Sequence, residues 1–275
     1  MDLLRHFSVR RFNGAESERV VDSVAAEEPL AISVKYWQKD APATANLAVT
    51  MRTPGNDTEL ATGFLFTEGI IASGKDVISV THPKADNENI VLVSLAENAT
   101  PALNLLERNF YTTSSCGVCG KASIEAVRTA CNITESFDKL RIPASIIYDL
   151  PGLLRRQQEV FENTGGLHGC ALFDTSAKLL YSREDVGRHN ALDKLIGTAF
   201  NAGLLPLDKH ILLLSGRASF ELVQKAVTAG IKIVAAVGAP SSLAVEMAEE
   251  WGMTLVGFLR DGRFNIYSGA ERIVI

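Results

Sequence analysis

Apolar positions along the chain follow two different periods, and the change of period divides it. Pro29 to Gln38 and Ala43 to Met51 read as strands, followed by a T-P-G-N-D turn. Asp57 stands where a helix cap belongs, ahead of Leu60, Phe64 and Leu65 at helical spacing and a stop near Gly69. Val77 to Val80 and Asn89 to Leu95 read as further strands across a polar loop. Met1 to Glu28 carries little pattern and is expected to be a loose lead-in. From Asn132 to Phe161 the pattern is mixed, with Pro143 and Pro151 as breaks and a helix expected from Pro151. G-C-A-L-F and K-L-L-Y-S around D-T-S-A predict a hairpin, and Gly187 to Asn201 a helix burying Leu192, Leu195, Ile196 and Ala199.

The last third alternates regularly. Strands are expected at Ile211 to Leu214, Ile231 to Val237 and Thr254 to Leu259, with helices at Phe220 to Ala229 and Leu243 to Trp251 between them. A final strand follows at Phe264 to Ser268. Strand–helix–strand with short links predicts a largely parallel sheet covered by helices, hence an α/β fold. The first half, by contrast, reads as a smaller α+β unit. The expected division is 1–28 lead-in, 29–112 N-terminal α+β domain and 113–275 main domain.

With 275 residues, 47% of them hydrophobic, the chain has material for a substantial core. The start M-D-L-L-R-H-F-S has no apolar h-region, and no apolar run approaches the ~20 residues of a membrane span. A cytoplasmic setting is expected. A net charge of −5 gives no electrostatic footprint for nucleic acid. Four cysteines are too few for a disulfide scaffold.

Two of those cysteines, Cys116 and Cys119, stand in T-S-S-C-G-V-C-G-K, with Gly117 and Gly120 leaving the backbone beside them unhindered. Ile124, Val127 and Cys131 follow at helical spacing, which predicts a loop near a helix N-terminus, where a thiolate is favoured. Three chemistries suit the pair. Zinc would need two more ligands, and no second C-x-x-C, no H-x-x-x-H and no deaminase-type H-x-E is present. A dithiol–disulfide couple fits the spacing. So does sulfur carriage, with one cysteine holding a persulfide. Spacing alone does not rank the last two. Cys131 and Cys170 read as buried small hydrophobes.

In α/β sheets ligands collect beyond the carboxyl ends of the strands. S-G-R-A-S at 215–219, G-A-P-S-S at 238–242 and R-D-G-R at 260–263 all fall there. Ser215 and Ser219 supply hydroxyls, while Arg217, Arg260 and Arg263 supply planar forks for phosphate oxygens. Ordinary turns with solvated arginines would look the same one at a time; three on one edge point to phosphate or nucleotide binding. E-D-V-G-R-H-N at 184–190 adds His189, a candidate acid/base spaced to pair with Asp185. His168, two residues before Cys170, is a candidate neighbour of a metal or of the thiol pair. Either histidine would equally serve as a structural brace.

S-C-G-V-C-G, T-G-G-L-H-G-C-A, E-D-V-G-R-H-N-A-L-D-K, S-G-R-A-S-F-E-L-V-Q-K and L-V-G-F-L-R-D-G-R occur in this order. Together they resemble the formate dehydrogenase accessory sulfurtransferase family (FdhD), from about Glu27 to the C-terminus. The resemblance implies a cytidine deaminase-like main domain and a homodimer. It implies receipt of sulfur from a cysteine desulfurase and its delivery to the molybdenum (or tungsten) bis(molybdopterin guanine dinucleotide) cofactor of formate dehydrogenase. The family's persulfide cysteine matches Cys116, with Cys119 as a possible helper. Its cofactor-binding stretch matches Phe258, Leu259, Arg260, Asp261, Gly262 and Arg263. No resident metal, no nucleic acid and no membrane contact are expected. A cofactor-holding chaperone and a zinc-dependent nucleobase hydrolase are the competing readings.

Overall fold

A computed structural model describes residues 2–38, 41–83, 88–99, 140–260 and 262–275. The chain opens with β1 (Leu4–Asn13) and β2 (Glu16–Ala25), a hairpin of two ten-residue strands that, among the described residues, pair only with each other. This replaces the loose lead-in expected from sequence. Both hairpin faces are largely exposed, with Phe7, Phe12 and Val21 all more than half open to solvent. No core-facing alternation was therefore imposed on its sequence, and the strands left no periodic trace.

β3 (Glu28–Gln38), β4 (Ala41–Arg52), β5 (Val77–Thr81) and β6 (Ile90–Leu95) form a four-stranded sheet in the order β4-β3-β6-β5. Helix α1 (Asp57–Thr67) packs on it, burying Leu60, Ala61 and Leu65 against Leu30, Ile32, Val34, Val91 and Val93. Asp57 is the first helical residue rather than the cap, which falls to Asn56 in the left-handed conformation. The Asp57 carboxylate accepts two hydrogen bonds from Arg52, each 3.0 Å long.

The predicted boundary at residue 112/113 lies outside the described residues. Beyond it come β7 (Ile142–Pro143), α2 (Ala144–Arg155), α3 (Glu159–Thr164), β8 (His168–Phe173) and β9 (Leu179–Asp185). Then follow α4 (Arg188–Asn201), β10 (Ile211–Leu214), α5 (Phe220–Thr228), β11 (Ile233–Ala236), α6 (Ser242–Glu250), β12 (Thr254–Arg260), β13 (Arg263–Ser268) and β14 (Ile273–Val274). The main sheet runs β13-β12-β11-β10-β8-β9. Its centre, β10-β11-β12, is parallel as the alternation predicts, but β8 and β13 flank that centre antiparallel and β9 extends β8 as a hairpin, so the sheet as a whole is mixed. Hairpins need only local turns, so they add strands at the edges without further crossover helices.

Continuous apolar runs make sense of the centre, which is buried on both faces. Cys170, Leu172, Leu212, Leu214, Val234 and Ala236 face α4, α5 and α6. Ala171, Phe173, Ile211, Leu213, Ile233 and Ala235 face α2. Helix α2 starts seven residues before the expected Pro151, which lies inside it. Ile147, Leu150 and Leu154 are fully buried along one stripe, and burial of about 2 kcal/mol per side chain outweighs the cost of ~3 kcal/mol for an interior proline.

Helix α4 joins the two sheets. A Cβ on Gly63 would lie 1.9 Å from the Asp193 carbonyl oxygen, and one on Gly197 would lie 1.9 Å from that of Glu59. Two glycines therefore let α1 and α4 cross backbone against backbone. Phe200, at the far end of α4, packs in the core of the four-stranded sheet, whereas Leu192 and Leu195 pack in that of the main sheet.

A candidate anion-receptive edge

The parallel strands end at one edge, and the loops leaving them are knitted together. Gly238 N–H donates to Gly216 O at 2.9 Å, Ala218 N–H to Ala239 O at 3.2 Å, Ser241 N–H to Ala218 O at 3.0 Å and Phe258 N–H to Gly238 O at 3.0 Å. A side chain at Gly238 would press on Arg217 N and Gly216 at 3.0 Å, so glycine is what allows the approach. Phe258 closes the edge with φ +53°, a left-handed backbone beside a bulge in β12. For a bulky residue this conformation stores about 1–2 kcal/mol of strain.

The predicted residues divide between this edge and the scaffold. Arg217, Arg260 and Arg263 are exposed, and Arg260 and Arg263 are cross-strand neighbours where β12 meets β13. The Arg260 guanidinium stands 6.0 Å from the Phe258 ring centre. Ser219 occupies the cap position of α5 without a side-chain capping bond, and its buried hydroxyl has no partner among the described residues. Ser215 is a brace: its Oγ accepts the Gly169 N–H at 2.8 Å, while its own N–H donates to Gly169 O at 2.9 Å. Leu259 is 1% exposed and belongs to the core beneath α2, leaving only its backbone for a ligand. Gly262 is exposed with φ +69°, and Asp261 lies outside the described residues, as do Cys116, Cys119 and Cys131.

The E-D-V-G-R-H-N segment serves mostly as structure. Asp185 is fully buried; one carboxylate oxygen takes Lys194 Nζ at 2.7 Å and Thr53 N–H at 3.1 Å, the other Gly187 N–H at 2.8 Å and Asn190 Nδ2 at 3.2 Å. Burial pushes its pKa up, while the Lys194 ammonium and these donors pull it back. His189 Nε2 lies 3.9 Å from a Glu221 carboxylate oxygen on α5. Glu184 accepts the Phe161 N–H at 3.2 Å.

Two further members of the edge take their places in three dimensions: His168, already a candidate from sequence, and Arg188. His168 begins β8 opposite Asp185 in register, and its Nδ1 would lie 3.4 Å from a Cβ on Gly216. Burial, then the positive charge of Arg188, holds its pKa below 6.5; Asp185 pulls the other way, and Arg217 adds a smaller downward push. Arg188, the first residue of α4, has a buried Nε with no hydrogen-bond partner among the described residues. Its position inside the polar 184–190 segment was the available signal. Cys170, two residues on from His168, is wholly buried, and burial drives its thiol pKa far up, which suits packing rather than chemistry. Among the described residues no group of three or more His, Cys, Asp or Glu is placed to hold a metal ion.

What the edge offers is three exposed guanidinium forks and one unpartnered hydroxyl, Ser219 Oγ, chemistry that suits phosphorylated ligands. The fold and candidate site thus define an α/β protein whose strand-end edge carries exposed arginines. The chain belongs to the FdhD/NarQ family, whose sequence profile matches residues 25–274. It is 48% identical to the sulfur carrier protein FdhD of Streptomyces coelicolor, over 97% of this chain and 94% of that one. Identity to the protein of the same name from Mycolicibacterium paratuberculosis is 51%, over 92% of each. Sulfurisphaera tokodaii has one at 44%, over 94% and 95%. A solved structure of a candidate formate dehydrogenase accessory protein from Desulfotalea psychrophila superposes with a TM-score of 0.76 over 99% of this chain and 100% of that one, at 24% identity. That likeness shows a shared fold. Among the described residues no helix is long and apolar enough to cross a membrane.

Proposed function

We propose that this chain is a sulfur carrier in formate dehydrogenase maturation, with Cys116 as the carrying atom's seat and the arginine-lined edge as the dock for a nucleotide-bearing cofactor. The observation that carries the reading is identity of 44–51% across nearly the whole chain to proteins named as sulfur carriers. The C-x-x-C at Cys116 and Cys119 supplies the chemistry such a carrier needs.

In the loading step the Cys116 thiolate attacks the outer sulfur of a persulfide on a cysteine desulfurase. The donor's S–S bond breaks, its cysteine leaves as thiolate, and the outer sulfur with its proton remains on Cys116. Onward transfer to the client, molybdenum bis(molybdopterin guanine dinucleotide), breaks the Cys116 S–S bond and returns Cys116 as thiolate, the outer sulfur taking its two electrons from the client's reduced metal. Alternatively, Cys119 attacks the inner sulfur of Cys116, expels hydrosulfide and leaves a disulfide that a dithiol reductant must reopen. The client's phosphates would meet Arg217, Arg260 and Arg263, with Ser219 Oγ as a further donor.

The test is sulfur loading by a cysteine desulfurase and cysteine, read by intact mass. Wild type should gain about 32 Da per persulfide sulfur, and Cys116→Ala should gain none. Equal cyanide-releasable sulfur in the two proteins removes the carrier assignment. A wild type that takes up no sulfur yet binds the cofactor would make the chain a holder instead.

A further inference from the structure

We propose that Glu221 reads the base of the docked nucleotide and selects guanine. The inference rests on the nucleotide-dock part of the reading above. It adds the residue that sets base specificity, which neither the cysteine pair nor the arginines can supply.

Glu221 is the second residue of α5, just after the S-G-R-A-S loop. Its side chain is 19% exposed, and one carboxylate oxygen lies 3.9 Å from Nε2 of His189, the second residue of α4. The carboxylate thus stands between two helix starts, close in sequence to Arg217 and to Ser219, whose buried hydroxyl has no partner among the described residues. At 3.9 Å the histidine contact is electrostatic and too long for a hydrogen bond. The neighbouring carboxylates are already engaged. Asp185 accepts from Lys194, Thr53, Gly187 and Asn190, and Glu184 from Phe161 and Gln158. Among the described residues Glu221 accepts no hydrogen bond. The α5 dipole favours a negative charge there without filling an acceptor, and a side chain so largely covered ordinarily has its acceptors filled.

A carboxylate amid arginines repels phosphate, so it belongs beside a neutral part of the ligand that brings donors. An ionised carboxylate only accepts, through two coplanar oxygens. Guanine N1–H and its 2-amino group are adjacent donors that meet both oxygens at once. Adenine and cytosine set one amino group beside a ring-nitrogen acceptor, and uracil sets one N–H between two carbonyls. Each of these would turn a lone pair on the carboxylate, which is discrimination by repulsion.

The strand order β12-β11-β10 sets the scale of the site. At ~4.8 Å between neighbouring strands, the ends of β12 and β10 are roughly 10 Å apart. Arg260 and Arg263, where β12 meets β13, can therefore hold phosphates while the base reaches the start of α5.

The test is calorimetry with GDP, xanthosine diphosphate and ADP on the full chain and on Glu221→Gln. Xanthine has a carbonyl where guanine has the amino group, which suits an amide and not a carboxylate. Wild type should favour GDP over both others by at least about tenfold, the worth of one charge-assisted hydrogen bond. Glu221→Gln should lose at least about tenfold for GDP, gain for xanthosine diphosphate and lose nothing for ADP. A gain for one ligand does not arise from a misfolded protein, so the swap separates recognition from damage. A wild type that binds GDP and ADP alike overturns the inference and leaves the dock in place. So does a Glu221→Gln that loses GDP and ADP equally, which puts the carboxylate on the ribose. A wild type that binds no nucleotide removes the dock itself, and the inference with it.

Discussion

Lys194 and Asp185 meet at 2.7 Å with both side chains withdrawn from water, and through them the two sheets share one anchor. Lys194 also donates to Thr53 O at 2.8 Å, and Thr53 N–H donates back to Asp185 at 3.1 Å, so β4's end, β9's end and α4 converge on a single ion pair. Arg188 and His189 owe their places at the edge to this knot. Asp185→Asn keeps the shape but leaves the Lys194 charge uncompensated. It should cost about 3–5 kcal/mol, read by urea denaturation. A loss below ~1 kcal/mol would mean that water reaches the pair.

Two helix glycines should respond with opposite signs. Gly197→Ala places a methyl group where the Glu59 carbonyl oxygen already is, so α1 and α4 must separate, at a cost of about 3 kcal/mol or more. Gly152, in α2, has nothing within 4 Å of an added Cβ and is exposed. Gly152→Ala should gain roughly 0.5–1 kcal/mol by reducing the freedom of the unfolded backbone. Paired melting curves check both.

His168 sets a pH dependence. Its pKa in the folded protein lies below the ordinary 6.5 because of burial, then of Arg188 and Arg217. The unfolded chain therefore takes up this proton first, and stability is lost as pH falls through about 6.5 towards the lower folded value. Above that range the contribution is complete. His168→Gln should flatten this segment of the stability–pH curve, and the His168 ring proton in NMR should titrate below 6.5 in wild type. A midpoint above 6.5 would place an uncompensated anion beside the ring. Saturating GDP, which would offset the arginine charges, should raise the midpoint.

Arg217→Ala should weaken GDP binding by about ten- to a hundredfold, the worth of one charge-assisted contact, while Ser215→Ala should act chiefly on stability through the lost bond from Gly169. Calorimetry separates the two. Unchanged affinity in Arg217→Ala takes that guanidinium out of the site.

Much of the main sheet was legible beforehand, because β10, β11 and β12 are buried on both faces and their apolar runs admit few other structures. The β1–β2 hairpin was not, since neither of its faces meets the core. Helix α2 was misplaced for a different reason: Pro151 reads as a boundary locally, and only contacts from Ile147 and Leu154 to distant strands override it. At the site, Arg217, Arg260 and Arg263 stood out because strand ends in α/β sheets point to ligands. Ser215, read with them at the strand ends, braces Gly169, and Leu259, named only through the family resemblance, has its side chain in the core.

By itself the amino-acid order determined the α/β alternation and the family, and it put forward Cys116 and Cys119 as the candidate pair, all from local spacing and motifs. Only the tertiary structure decided which polar residues of 184–190 brace the sheets and which face the edge, and that Arg188 and His168 share one electrostatic environment. Such partnerships join residues far apart in the chain, and burial, not spacing, sets their charge states.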